Sequence, residues 1–91
     1  MITALCFINT TPEHISSAGD AIAQIAGVKS VYSVTGKIDL VAIIEVRDHE
    51  QVAAVVADQM GKVSGITSTE THIAFRTYDK RDLEAGFALG N

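Results

Sequence analysis

The side chains able to do chemistry are few and scattered. Three histidines, His14, His49 and His72, fall on a helix start, a loop and a strand, and no pair has the helical spacing of a metal site. Cys6 is the single cysteine, so it forms no internal disulfide, and its place in an apolar run predicts a buried, inert thiol. No Gly-Lys-Ser/Thr phosphate loop and no Cys/His/Asp arrangement licensed by spacing is present, so no catalytic residue, metal or cofactor is assigned. Glu70 and His72 lie two apart and share one strand face, either as an ordinary polar surface or as contacts for a ligand or partner.

The elements that would position these groups follow from the hydrophobic pattern. Ile2 to Ile8 is apolar at nearly every position and ends at Asn9-Thr10-Thr11-Pro12, as a strand wetted on neither face does. Thr11 can cap a helix whose first residue is Pro12, with Glu13 in its first turn. Ile15, Ala18, Ile22, Ile25 and Ala26 then recur at helical spacing until Gly27. Val28 to Thr35 and Leu40 to Val46 are strands joined by Gly36-Lys37-Ile38-Asp39, a tight connection suited to an antiparallel hairpin. Asp48 can cap a second helix carrying Val52, Val55, Val56, Gln59, Met60 and Val63, which ends between Gly61 and Gly65. In the last strand, Ile66 to Arg76, the residues Thr67, Thr69, Thr71, Ile73 and Phe75 share one face.

The order β-α-β-β-α-β, with right-handed crossovers, predicts an α+β ferredoxin-like sandwich: a four-stranded antiparallel sheet with both helices on one face. Gly27-Val28-Lys29-Ser30-Val31 and Gly65-Ile66-Thr67-Ser68-Thr69 stand in matching places of its two halves. The helices cover one face only, whereas the first and third strands are apolar on both. The second face is therefore expected to pack against a second copy, giving a sheet-to-sheet dimer. Composition agrees: 47% of the residues are hydrophobic and only 20% charged, which leaves apolar surface to cover on a chain this short. The formal charge of -4 gives no electrostatic reason for direct nucleic-acid binding. No apolar run approaches the roughly 20 residues that span a bilayer, and Met1 to Ile8 has no basic leader, so a cytoplasmic protein without membrane contact is expected.

The hairpin Val31-Tyr32-Ser33-Val34-Thr35-Gly36-Lys37-Ile38-Asp39-Leu40 and the strand Gly65-Ile66-Thr67-Ser68-Thr69-Glu70-Thr71-His72-Ile73 carry a resemblance. In order and spacing they resemble the "vtG-x-x-Dl" hairpin and the "GV-x-x-T-x-T-x-I" strand of the Lrp/AsnC ligand-binding domain, the domain of regulation of amino-acid metabolism. The resemblance covers residues 1–78. Full-length members carry a helix-turn-helix domain ahead of this one. Here the first strand starts at residue 2, so the chain resembles the stand-alone members, thought to bind small effectors or co-assemble with full-length regulators. The resemblance implies a homodimer that associates further, as an octamer or similar ring, with an amino acid or similar metabolite held between dimers. The matched positions are Gly36, Asp39, Thr69 and Thr71; Ile38 stands where the family is often aromatic, which leaves the pocket shape open.

An amino-acid effector presents a carboxylate and an ammonium. Asp39 could accept from the ammonium, backbone N–H groups around Gly36 could approach the carboxylate, and Thr69 or Thr71 could add hydroxyl contacts. Equally, Gly36 could serve only a positive-φ turn and Asp39 only the loop backbone, with the threonines lining a half-buried sheet. Two other classes stay open: a ferredoxin-like dimeric enzyme of monooxygenase or isomerase type using His72 and Asp39 in one cleft, and a purely structural assembly module. Residues 79–91 form a short tail whose Leu83 and Phe87, four apart, suit one or two helical turns docked on a neighbour, or a frayed end.

Overall fold

The structure, a computed structural model, describes residues 1–80. Its first strand, β1 (Ile2–Thr10), buries alternate residues: Ala4, Cys6 and Ile8 are inaccessible while Leu5 and Phe7 are half-buried. It runs beyond the predicted end because Asn9 and Thr10 still pair with the last strand, across a register shift.

The chain then makes a 3-10 turn (Pro12–His14) before α1 (Ile15–Ala23). The predicted Thr11 side-chain cap is absent: Thr11 Oγ1 lies 2.6 Å from His14 Nδ1, and the Thr11 carbonyl closes the turn by accepting from His14 N–H at 3.0 Å. The helix also stops sooner than Gly27. Gln24 and Ile25 donate three residues back, to Ala21 and Ile22, which tightens the chain toward Gly27 at φ +97°.

Strands β2 (Val28–Ser33) and β3 (Leu40–Val46) form the expected antiparallel pair. Asp48 caps α2 (His49–Ala53) as predicted, accepting from Gln51 N–H at 2.9 Å. The helical chain continues through a π-helical stretch (Ala54–Gln59) and a 3-10 turn (Met60–Lys62). Wider π turns place Val55 and Met60, five apart, on the buried side, where regular helical spacing had included Gln59. Gly65, at φ +94°, then turns the chain into β4 (Ile66–Ala74), and a Cβ there would overlap the His14 side chain. Phe75 and Arg76, predicted as strand, lie beyond its end. The tail of residues 79–91 lies outside the described residues from position 81 onward.

The sheet order is β2-β3-β1-β4, every neighbour antiparallel, which is the ferredoxin-like arrangement predicted. Both helices lie on one face. There Ala4, Cys6, Ile8, Leu40, Ala42 and Ile44 pack against Ala18 and Ile22 of α1 and against Val52, Val55 and Met60 along α2 and its continuation. Each fully buried isoleucine or leucine of this core contributes about 1.5–3 kcal/mol. The odd-numbered residues of β1 and β3 point to the other face, which no element covers among the described residues.

Candidate functional site

The β2–β3 connection is longer than the tight turn predicted, because β2 ends at Ser33 and six residues, 34–39, make the loop. Its neck closes where Val34 N–H donates to the Asp39 carbonyl at 3.1 Å. Gly36 sits at the exposed tip with φ +107°, a conformation that disfavours side chains, although a Cβ there would meet nothing within 4 Å. Asp39 anchors the loop to the end of β1. Its N–H donates to the Ile8 carbonyl at 3.1 Å, and its Oδ2 accepts from Thr10 N–H at 2.9 Å. The Thr10 hydroxyl beside this bond is buried with no partner among the described residues.

Ile38 folds onto the uncovered face of the sheet. There it lines a shallow cleft of about 470 Å³ with Leu5, Phe7, Glu70 and His72. Strand register builds this group, since Leu5 pairs with His72 and Phe7 with Glu70, and directly paired residues project from the same face. His72 Nε2 lies 2.6 Å from Glu70 Oε2, and the His72 ring meets Phe7 edge-on, centroids 5.3 Å apart at 83°. The cleft thus has an apolar floor and one charged or polar pair at its rim.

Thr69 and Thr71 belong to the opposite face. Thr71 pairs with buried Cys6 and donates its hydroxyl to Cys6 Sγ at 3.4 Å, while Cys6 Sγ–H donates to Met60 Sδ at 3.8 Å. Burial pushes the Cys6 thiol above its ordinary pKa, and the Thr71 hydroxyl offsets part of that rise. Thr69 pairs with Ile8 and is exposed, so it stands across β1 from Asp39, roughly 10 Å away at two strand spacings. The structure therefore gathers Gly36, Ile38 and Asp39 on one loop, puts Thr69 at the same end of the sheet, and turns Thr71 into the core side. Leu5 and Phe7 were not singled out from the sequence; the period-two alternation of β1 carried the signal, but only the register with β4 sets them beside Glu70 and His72.

Among the described residues, no group of three or more His, Cys, Asp or Glu side chains gathers as a metal site, and no helix is long and apolar enough to cross a membrane.

The sequence profile of the Lrp/AsnC ligand binding domain matches residues 3–83. The chain belongs to this family. Among relatives, the uncharacterized HTH-type transcriptional regulator YugG of Bacillus subtilis is 28% identical over 90 residues, covering 93% of this chain and 54% of that protein. The HTH-type transcriptional regulator LrpA of Pyrococcus horikoshii is 27% identical over 60 residues, 66% of this chain and 43% of that protein. The chain spans about half the length of these curated relatives. Among solved structures, TTHA0845 from Thermus thermophilus superposes with a TM-score of 0.83 at 40% identity, covering 88% of this chain and all of that one. E. coli AsnC superposes at 0.81 with 20% identity, covering 88% of this chain and 54% of AsnC, a likeness of fold. A Neisseria meningitidis transcriptional regulator, solved in complex with L-Met, superposes at 0.77 with 12% identity over 86% of this chain and 52% of that one. The curated relatives of the chain are named transcriptional regulators. Within the cleft stands His72, whereas Asp39 is hydrogen-bonded to Thr10 N–H at the end of β1.

Proposed function

We propose that this chain is an effector-binding assembly domain of the cytoplasm. It pairs sheet to sheet with a second copy, associates into a larger ring such as an octamer, and takes an amino acid or similar small metabolite between dimers. It modulates transcription through mixed assembly with full-length Lrp/AsnC regulators, without touching nucleic acid itself. The observation that carries the reading is the uncovered face of the sheet, where Leu5, Phe7, Val41 and Ile43 stand half-buried beside exposed Tyr32. A second sheet laid over it removes that apolar surface from water, each Å² contributing about 25 cal/mol.

In this reading Asp39 keeps its Oδ1 for the effector ammonium while Oδ2 holds Thr10 N–H. Backbone N–H groups around Gly36 meet the carboxylate, Ile38 shapes the apolar end, and the Thr69 hydroxyl adds a contact from across β1. Thr71 acts from behind, through its bond to Cys6. That the Neisseria regulator was crystallised with L-Met makes amino acids the first class to try.

The test is light-scattering mass and melting temperature with each common amino acid in turn. The expected result is a particle larger than a dimer whose mass or melting temperature changes with one or a few of them. Asp39→Asn should then weaken that amino acid at least tenfold in calorimetry. Indifference of mass and melting temperature to every amino acid overturns the effector class, and unchanged affinity in Asp39→Asn overturns the ammonium contact.

A further inference from the structure

On the helical side of the molecule a second concavity plays no part in the proposed site. A groove of about 660 Å³ runs between α1 and the α2 segment. Ala21 and Ile25 form one wall, Ala54 and Val55 the other, with Val46 between them and the Gln51 and Gln59 amides on the rim. The π-helical stretch supplies part of this wall, and small alanines leave it open. The outer side of the same wall is acidic, because Glu50 and Asp58 border an adjoining hollow that shares Gln51 and Ala54 with the groove.

The segment that leaves β4 has the complementary character. Phe75 is 95% exposed and Tyr78 83% exposed, both aromatic rings carried out beyond the sheet. The Arg76 guanidinium lies 6.0 Å from the Tyr78 ring centre, and Lys80 and Arg81 follow in the sequence. An arm with apolar rings and positive charges, and a groove with apolar walls and a negative flank, thus occur on one molecule. Among the described residues they do not meet: Phe75 and Tyr78 are almost wholly exposed, and neither lines the groove. The register Ile2 with Val46 and Thr3 with Ala74 puts the end of β4 two strand spacings, about 10 Å, from the groove's Val46.

We propose that the groove between α1 and α2 receives the C-terminal arm of a second copy of this chain, beginning at Phe75. Phe75 and Tyr78 fill the apolar trough, and Arg76 and Lys80 face Glu50 and Asp58. The contact joins two different surfaces, so repeated around an axis it links dimers into a closed ring or an open chain. It does not depend on the amino-acid reading, and it uses the face opposite to the sheet contact.

Two single-cysteine variants test it directly. Phe75→Cys and Ala54→Cys proteins, mixed and mildly oxidised, should give a disulfide between one chain of each kind, at least fivefold more abundant than with Ser17→Cys in place of Ala54→Cys. Cys6 is buried and stays in place throughout. Adding Leu5→Asp to both proteins disables the sheet face and should leave this crosslink intact. Phe75→Asp and Ala54→Arg should each lower the light-scattering mass to the same smaller particle, with or without amino acids. A crosslink no stronger than the Ser17→Cys control, or one formed only within a single chain carrying both cysteines, overturns the proposal. So does a mass unchanged by both charge-bearing variants.

Discussion

The two faces of the sheet are made by alternate residues of the same strands, yet they have opposite fates. On β3, Leu40, Ala42 and Ile44 are covered by helices and inaccessible, while Val41 and Ile43, equally apolar, are covered by no element among the described residues and stay half-buried. The covered face spends its few polar groups on internal bonds, such as Thr71 to Cys6. Its uncovered counterpart keeps a polar pair, His72 and Glu70, among Leu5, Phe7 and Ile38. A strand apolar on both sides therefore states how much surface must be covered, and the helices decide how much the protomer covers alone.

Adjacent residues give the sharpest way to break this comparison. Ile44→Ala, on the covered face, should lower the unfolding free energy by about 2–5 kcal/mol in denaturant titrations. Ile43→Ala should cost the protomer less than half of that and act instead on self-association, read as a light-scattering mass that falls more readily on dilution. Equal losses in protomer stability, with association untouched, would show that the second face is not a contact surface.

Next come the positive-φ glycines. Gly36→Ala meets open space and should cost about 1–2 kcal/mol from backbone conformation alone. Gly65→Ala carries the same backbone cost and also drives a methyl into His14, adding about 1–3 kcal/mol. Thermal unfolding of the two variants side by side should show the larger fall for Gly65→Ala; a reversed order would mean that His14 moves aside freely.

At the hairpin, Asp39→Ala leaves Thr10 N–H without its acceptor and should cost about 1–3 kcal/mol. Asp39→Asn keeps an oxygen there and should recover most of this in the same titration. The smallest effect is expected at Thr71→Val, within about 1 kcal/mol. Because burial raises the Cys6 pKa and the Thr71 hydroxyl lowers it in part, removing that hydroxyl moves it further up. The pH at which the Cys6 thiolate appears in the ultraviolet absorbance of the folded protein should rise in Thr71→Val, and a fall would contradict the bond.

The fold was legible because each element carried its own local signal. The apolar runs of β1 and β3 and the Asp48 cap are properties of short segments, and β3 begins and ends where its apolar run does. The elements misjudged at their ends are those set by neighbours. Phe75 and Arg76 continue the alternation of β4 but lie beyond the paired strand, and α1 tightens at Gln24 to deliver Gly27 against Val46 and Val55. The π-helical stretch had no sequence signature; it follows from Val55 and Met60 both reaching the core. Of the candidate site, Gly36, Ile38 and Asp39 are neighbours in sequence and were found together. Leu5, Phe7, Glu70 and His72 come from strands more than sixty residues apart in the chain, and no local pattern could join them.

The sequence by itself determined the order of strands and helices, the shortage of cover for an apolar sheet and membership in a family, because these rest on periodicity, composition and motifs read along the chain. Only the tertiary structure decided that Thr71 faces the core while His72 faces outward, that Asp39 holds the end of β1, and that Phe75 and Tyr78 stand apart from the inter-helix groove. The physical reason is register: pairing β1 with β4 at one offset sends each side chain to a given face, and a shift of one residue would exchange every one of them.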